Sequence, residues 1–438
     1  MSKPSYRILI TSLEALGHIN ATIGFGEMLS SHGHEVIFVQ RQKYKGLADS
    51  RGFKFIPLDE EILGAVFENA VSDWVDTNME TFRADPLTRI KNMTEQDKKN
   101  MALNEESFVK LDLALTKVLH ENPGAFDAIA ADACDVVNCL FNSGLPVIPL
   151  MSGNPKLLYK GGPPAASGLS INDDPKIWDE FAEIYQEAFK EMQNVFNKLL
   201  KKGGRKEYYY GNTWVLPLRH FGFYQYPSDL DYSECEPKHD EKWFRVDSYV
   251  RSADDTNDFE LPESLSKKSG KLIYLSLGTL GSNDLLVMRK LINAASKSSH
   301  RFIISKGSRG DQLELADNMC GENYLNQIKV IQMVDLVITH GGNNTFMETL
   351  YYGKPMIVVP YFFDQFDNAQ RVVDKKIGFR VNPYDLDEDY FLDCIEKALS
   401  DQEMQNRVKA ISQNMKNSKR QLQAVKMIEN LIEEFKSK

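Results

Sequence analysis

Ten residues carry the densest chemistry in the chain: Thr339-His340-Gly341-Gly342-Asn343-Asn344-Thr345-Phe346-Met347-Glu348. A β-branched run ends here in two glycines, and a helix pattern starts on Asn-Asn-Thr. Glycines let a ligand approach the backbone, and the free N–H groups of a helix start face an anion. His340, Asn344 and Thr345 add side-chain donors, so the segment suits a diphosphate. Glu348 follows Asn344 and Thr345 by four and three residues, which places it on their helix face and lets its carboxylate accept from two ribose hydroxyls. The same letters also suit an ordinary capped helix after a strand.

One strand further on stands Pro360-Tyr361-Phe362-Phe363-Asp364-Gln365-Phe366-Asp367-Asn368-Ala369. Asp364 and Gln365 would lie at the carboxyl end of a parallel strand, where open α/β sheets bind ligands, and both can bond sugar hydroxyls. Asp364 could instead cap the next helix. Near the N-terminus, Leu16-Gly17-His18-Ile19-Asn20 follows the first strand. Gly17 makes room, and His18 can reach the cleft from a loop or be a plain surface residue. Asp132 closes another strand, in Ala130-Ala131-Asp132-Ala133, and an aspartate on one imidazole nitrogen leaves the other to take an acceptor proton. The sequence has no GxGxxG after the first strand, no GxxxxGK[ST] and no HExxH.

Elements must exist to hold these residues at one edge. Strand-like runs at 7–13, 34–40 and 53–58, with a helix over 21–31, predict βαβαβ. The rhythm returns with strands at 126–132 and 145–151 around a helix over 136–142, all in one doubly wound sheet. Residues 59–122 read as helical insertions over that sheet's carboxyl edge, with Phe67, Trp74, Met79 and Phe82 near an acceptor pocket. The acidic, weakly periodic stretch 233–268 reads as a linker with the boundary near 236. Beyond it come strands at 271–277, 300–306, 335–339 and 355–360 and helices at 284–296 and 343–352.

Bulk properties bound the function. A chain of 438 residues suits two domains and therefore a cleft. A net charge of -10 without a Lys/Arg stripe argues against a nucleic-acid partner. Cys134, Cys139, Cys235, Cys320 and Cys394 lack CxxC spacing and read as reduced thiols. No apolar stretch reaches 18 residues and no signal-peptide pattern precedes the first strand, so the expected setting is cytoplasmic, with no membrane partner.

With these residues in place, the chain resembles the UDP-glycosyltransferase superfamily, closest to its bacterial macrolide-type and spider mite branches. The likeness spans the chain and is strongest over 271–382, where His340, Gly342, Asn344, Thr345, Glu348, Asp364, Gln365 and Asn368 match the donor signature. It implies an α/β GT-B fold: two Rossmann-like doubly wound domains facing a cleft. The acceptor domain would span 1–235, the nucleotide-sugar domain 236–411, and a helix over 412–438 would cross back to the first. It implies His18 as base and Asp132 as its partner. Gly17, Thr279, His340, Gly342, Asn343, Asn344 and Thr345 would lie around the diphosphate, Glu348 at the ribose, and Asp364 with Gln365 at the sugar. Tyr324, Leu325 and Gln327 stand in the segment that usually carries Trp-Val-Pro-Gln against uracil, and Ala21 stands where the family often has proline. The implied activity is inverting transfer, with glucose from UDP-glucose favoured, to a small lipophilic hydroxyl compound such as a flavonoid, phenolic or xenobiotic. The UDP-sugar is a co-substrate, no metal or other cofactor is expected, and the enzyme would be a monomer. A sugar-nucleotide epimerase on the same scaffold and a non-catalytic small-molecule binding protein are the rival readings.

Overall fold

A computed structural model describes residues 4–64, 77, 84–101, 105–133, 137–206, 215, 217–253 and 259–437. Phe67, Trp74, Met79, Phe82, Cys134 and the start of the helix expected at 136–142 lie outside the described residues, as does the acidic run 254–258. Two sheets are present. The first holds seven strands: β1 (Arg7–Thr11), β2 (Glu35–Gln40), β3 (Lys54–Pro57), β4 (Ala128–Asp132), β5 (Val147–Met151), β6 (Gly222–Gln225) and β7 (Trp243–Val246), in the order β3-β2-β1-β4-β5-β6-β7. The second holds β8 (Leu272–Ser276), β9 (Arg301–Ser305), β10 (Met319–Glu322), β11 (Leu336–Thr339), β12 (Met356–Val358) and β13 (Gly378–Arg380), in the order β10-β9-β8-β11-β12-β13. Every pairing between these strands is parallel.

Parallel strands need crossover helices that cover both faces, and so the inner strands are largely buried while the edge strands β3, β10 and β13 are not. β4 and β8 are buried at every position. The helices that bear on the site and on the domain junction are α1 (Leu16–Ser31), α2 (Glu105–Glu121), α3 (Gln327–Met333), α4 (Asn343–Tyr351), α5 (Gln365–Asp374), α6 (Gln402–Asn417) and α7 (Arg420–Lys436).

The boundary expected at residue 236 lies inside the territory of the first sheet. β7 falls within the stretch read as linker and pairs with β6, from Gly222–Trp243 to Gln225–Val246. Four residues, Trp-Phe-Arg-Val, are too few to show a period, and the acidic run before them is the β6–β7 connection. At the other end, α7 packs Ala424, Val425, Ile428, Leu431 and Ile432 into the core of Tyr6, Ile8, Phe25 and Phe223. The chain therefore returns to the first domain after Asn417.

The two domains also share a core. Tyr224, Tyr226, Tyr232 and Trp243 of the first cluster with Phe346, Met347, Leu350, Met356 and Val372 of the second. Tyr226 stacks on Phe346 with ring centroids 5.8 Å apart. Among the described residues, Cys139, Cys235, Cys320 and Cys394 are free thiols. No helix among the described residues is long and apolar enough to cross a membrane.

Candidate functional site

β1 and β4 are neighbours in register from Ile8–Ala128 to Thr11–Ala131, so the segments leaving the two strands meet at one edge. His18 is not in a loop, as its glycine neighbour suggests. α1 begins at Leu16, five residues before the periodicity predicts, after an extended Ala15 that provides no side-chain cap. His18 is thus in the first turn. Its Nδ1 lies 2.8 Å from Asp132 Oδ2, and the Asp132 side chain is fully buried while that of His18 is 28% exposed. A carboxylate only accepts, so Nδ1 carries the proton and the basic lone pair is on Nε2. Ser152 Oγ stands 2.8 Å from the same Nδ1. Sequence reasoning misses this serine, although it is the first residue beyond β5 at the carboxyl edge.

The second half of the site is built on the ends of β8 and β11, paired from Leu336–Ile273 to Thr339–Ser276. The imidazole of His340 lies against two glycines. Gly278 has φ +70, and a Cβ there would come within 2.6 Å of the ring; a Cβ on Gly342 would collide with Nε2. Burial lowers the His340 pKa to about 4, so at neutral pH it is an uncharged hydrogen-bonding group rather than a cation for phosphate. Thr279 follows Gly278 in the short helical turn Gly278–Gly281, partly exposed.

α4 begins at Asn343, as its sequence predicts. Its two leading amides turn across the cleft. Asn343 Nδ2 donates to Ser152 O at 3.0 Å and Gly153 O at 3.1 Å, and Asn344 Nδ2 donates to Gly17 O. Thr345 and Glu348 share a face: Gln327 Nε2 donates to Thr345 Oγ1 at 3.1 Å and to Glu348 Oε2 at 2.6 Å. Glu348, 2% exposed, also receives Arg251 Nε on Oε1 at 3.0 Å. Tyr324 is 59% exposed before α3, while Leu325 packs beside Tyr274, Val330 and Ile331. Asn326 caps α3 by accepting from Lys329 N at 3.4 Å.

Asp364 does not cap its helix. It precedes α5 with no side-chain cap bond, and its Oδ2 instead accepts the Asn154 N–H from the first domain at 2.8 Å. Burial raises its pKa, opposed chiefly by that N–H. Gln365 Oε1 accepts from Tyr361 N at 2.9 Å and Phe362 N at 3.3 Å, which pins the turn carrying Asp364. Asn368, fully buried, donates to Gly341 O at 2.8 Å and accepts from Asn154 Nδ2 at 2.7 Å. Asn154 is therefore a cross-domain hub that sequence reasoning misses. Its signal is the position after Ser152-Gly153 at a strand end.

Asp367 marks a second contact between the domains, accepting from Ala166 N at 2.7 Å and Gly168 N at 3.1 Å. Those bonds favour the carboxylate, but burial outweighs them and raises its pKa to about 7. The folded protein then binds a proton that the unfolded chain, with an ordinary aspartate pKa near 3.8, has released. Its contribution to stability falls as pH rises from about 4 to about 7. The thermal midpoint of Asp367→Asn, subtracted from that of the parent across this range, should show that slope; parallel curves would refute it.

Among the described residues, no group of three or more His, Cys, Asp or Glu is placed to hold a metal ion. An apolar pocket borders Asp132, lined by Leu140, Phe141, Val147, Pro149, Leu218 and Trp243.

Residues 278–428 match the glycosyltransferase family 28 C-terminal domain. Over 440 aligned residues the chain is 22% identical to "Uncharacterized UDP-glucosyltransferase YdhE" of Bacillus subtilis (strain 168), covering 97% of this chain and 98% of that one. It is 21% identical to the zeaxanthin glucosyltransferase of Pantoea ananas, covering 84% and 82%. Among solved structures, the glycotransferase of kitacinnamycin superposes with a TM-score of 0.70 over 98% of this chain and 100% of that one, at 17% identity. That likeness concerns the fold, two parallel-sheet Rossmann-like domains in the GT-B arrangement.

Proposed function

Because the chain belongs to the UDP-glycosyltransferase superfamily and is a glycosyltransferase acting on a sugar-nucleotide donor, we propose that it moves glucose from UDP-glucose, with inversion, onto a hydroxyl of a small lipophilic acceptor. Flavonoids, other phenolics and xenobiotics are the acceptor class, which makes detoxification its role. The observation that carries this reading is the His18–Asp132 pair at 2.8 Å, facing a helix start that Asn344 ties to Gly17.

The geometry supports the following division of labour. Residues at the edge of the first sheet receive the acceptor, and a relative named for zeaxanthin supports a lipophilic one. His18 Nε2 takes the acceptor proton as the oxygen attacks the anomeric carbon, and Asp132 stabilises the resulting imidazolium. The leaving diphosphate is met by the N-terminal end of α4, by Thr279, Asn343, Asn344 and Thr345, and by neutral His340, with Gly17 and Gly342 giving access. Glu348 and Gln327 take the ribose. Tyr324, exposed beside Leu325, offers its ring to uracil. Asp364 and Gln365 bond the sugar hydroxyls, which aligns the anomeric carbon with the acceptor oxygen. The N-terminal sheet is the acceptor domain in this reading, the C-terminal sheet the donor domain, and the enzyme works as a cytoplasmic monomer.

The test is UDP release from UDP-glucose with and without a panel of flavonoids and simpler phenols, with glycosides identified by mass. Release that requires an acceptor, and persists at full rate in excess EDTA, is the expected result. Donor epimerised without acceptor, or acceptor bound with no turnover, would replace this reading with an epimerase or a binding protein. Loss of rate in EDTA would refute the metal-independent account of the leaving group.

A further inference from the structure

One partly buried cation beside the donor helix has no place in the transfer chemistry. Arg251 lies on the segment that leaves β7 for the second domain, and this segment is fastened to the first. Tyr249 N donates to Gln225 Oε1 at 3.1 Å, and Ser252 donates through both N and Oγ to Glu27 at 2.6 Å. The segment runs directly over α1, where a Cβ on Gly24 would collide with Tyr249 O and lie 3.1 Å from Arg251 N. From this fixed backbone the side chain crosses to α4, with Nε on Glu348 Oε1 at 3.0 Å and side-chain exposures of 13% for Arg251 and 3% for Glu348.

That bond uses one of five guanidinium N–H groups. The two terminal nitrogens have no hydrogen-bond partner among the described residues. They are not sealed from solvent, so a ligand can reach them and accept from them. Glu348, the carboxylate assigned to the ribose, is the group they flank, and its Oε2 already receives Gln327. A ribose diol matches this pair. Each hydroxyl donates to a carboxylate lone pair and accepts, through its own oxygen, from a guanidinium N–H. A 2′-deoxyribose lacks one hydroxyl and would leave both an Arg251 donor and a Glu348 lone pair unmet, the situation in which polar sites discriminate most strongly.

We propose that Arg251 is a specificity-determining residue that, with Glu348, reads the 2′-hydroxyl of the donor nucleotide and restricts the enzyme to ribonucleotide donors. This rests on the assignment of Glu348 to the ribose. The experiment is calorimetric titration of the whole protein with UDP and with 2′-deoxy-UDP, for the parent, Arg251→Ala and Arg251→Lys. Arg251→Gln stands in should the alanine variant fail to fold. The parent should prefer UDP by at least about 10-fold, the loss expected for a hydrogen bond to a charged group. In Arg251→Ala the preference should fall to within about threefold through weaker UDP binding, and Arg251→Lys should recover part of it. Equal weakening of both nucleotides would reduce Arg251 to a structural support, and unchanged or tighter UDP binding would make it an occupant of the ribose site; either overturns the proposal. If the parent binds both nucleotides equally, the inference alone fails. If it binds neither, the donor assignment fails with it.

Discussion

His18→Ala should lower acceptor-dependent UDP release by about 10²–10⁴-fold while leaving UDP affinity nearly unchanged, because the ring would act on the acceptor proton and not on the nucleotide. The partners of Nδ1 make the expectation sharper. Asp132→Asn removes the charge and can present an N–H to Nδ1, which moves the ring proton to Nε2 and blocks the base; it should approach the His18 variant. Asp132→Ala should be milder, since Ser152 Oγ, also 2.8 Å from Nδ1, remains to accept that proton. Steady-state rates with one phenolic acceptor at saturating UDP-glucose give the order. His18→Ala turning over as fast as the parent would end the dyad assignment.

Arg371→Ala should damage the fold more than any of the site substitutions. This side chain is 1% exposed and belongs to α5, yet its partners lie in the first domain. Nε donates to Leu230 O at 2.7 Å, Nη2 to Asp231 O at 2.6 Å, Nη1 pairs with Glu234, and the guanidinium sits 4.3 Å from the Tyr232 ring centroid. Truncation strands two carbonyl oxygens and opens a cavity. Breaking a buried ion pair costs about 3–5 kcal/mol, and the lower end applies because Glu234 keeps Lys375 at 3.7 Å. A loss of about 3 kcal/mol corresponds to a midpoint roughly 6–12 °C lower by calorimetry. α5 also follows Asp364 and carries Gln365 and Asn368, so UDP-glucose affinity should fall as well. A midpoint within 2 °C of the parent, roughly 1 kcal/mol, would show that the strut carries no load.

Both predictions concern residues of very different legibility. The strands that position His18, Asp132 and Glu348 lie in apolar runs that end at turn or motif residues, and that contrast gives them away. β6, β10 and β13 are three or four residues each, Gly-Phe-Tyr-Gln, Met-Cys-Gly-Glu and Gly-Phe-Arg. They exist because neighbouring strands supply hydrogen-bond partners, which no local pattern records. The same distinction governs the site. His340, Asn344, Thr345 and Glu348 lie within nine residues and announce themselves by spacing. Arg251, Asn154 and Arg371 act across the domain junction on partners 97, 210 or 214, and 137 to 141 residues away. Nothing near them in sequence says what they meet. His18 is legible from its position after β1, but its place in a helical turn is not, because Ala15 offers no capping signal.

The core shared by β6, β7 and α4 sets rules for recombination between relatives. Chimeras that exchange halves of such enzymes to pair one acceptor preference with another donor preference treat the halves as separable parts. A junction at residue 236 would leave Tyr224, Tyr226 and Tyr232 in one parent and Trp243 in the other, although they form one cluster with Phe346 and Met347. A junction in the segment after Ser252 keeps both sheets whole but still presents foreign surfaces to Tyr226 and Phe346, and α7 must travel with the first half because its apolar face fills the core around Phe25. The unit of inheritance in this fold is therefore discontinuous: residues 4–252 together with 418–437, exchanged along with the Phe346 face that they touch.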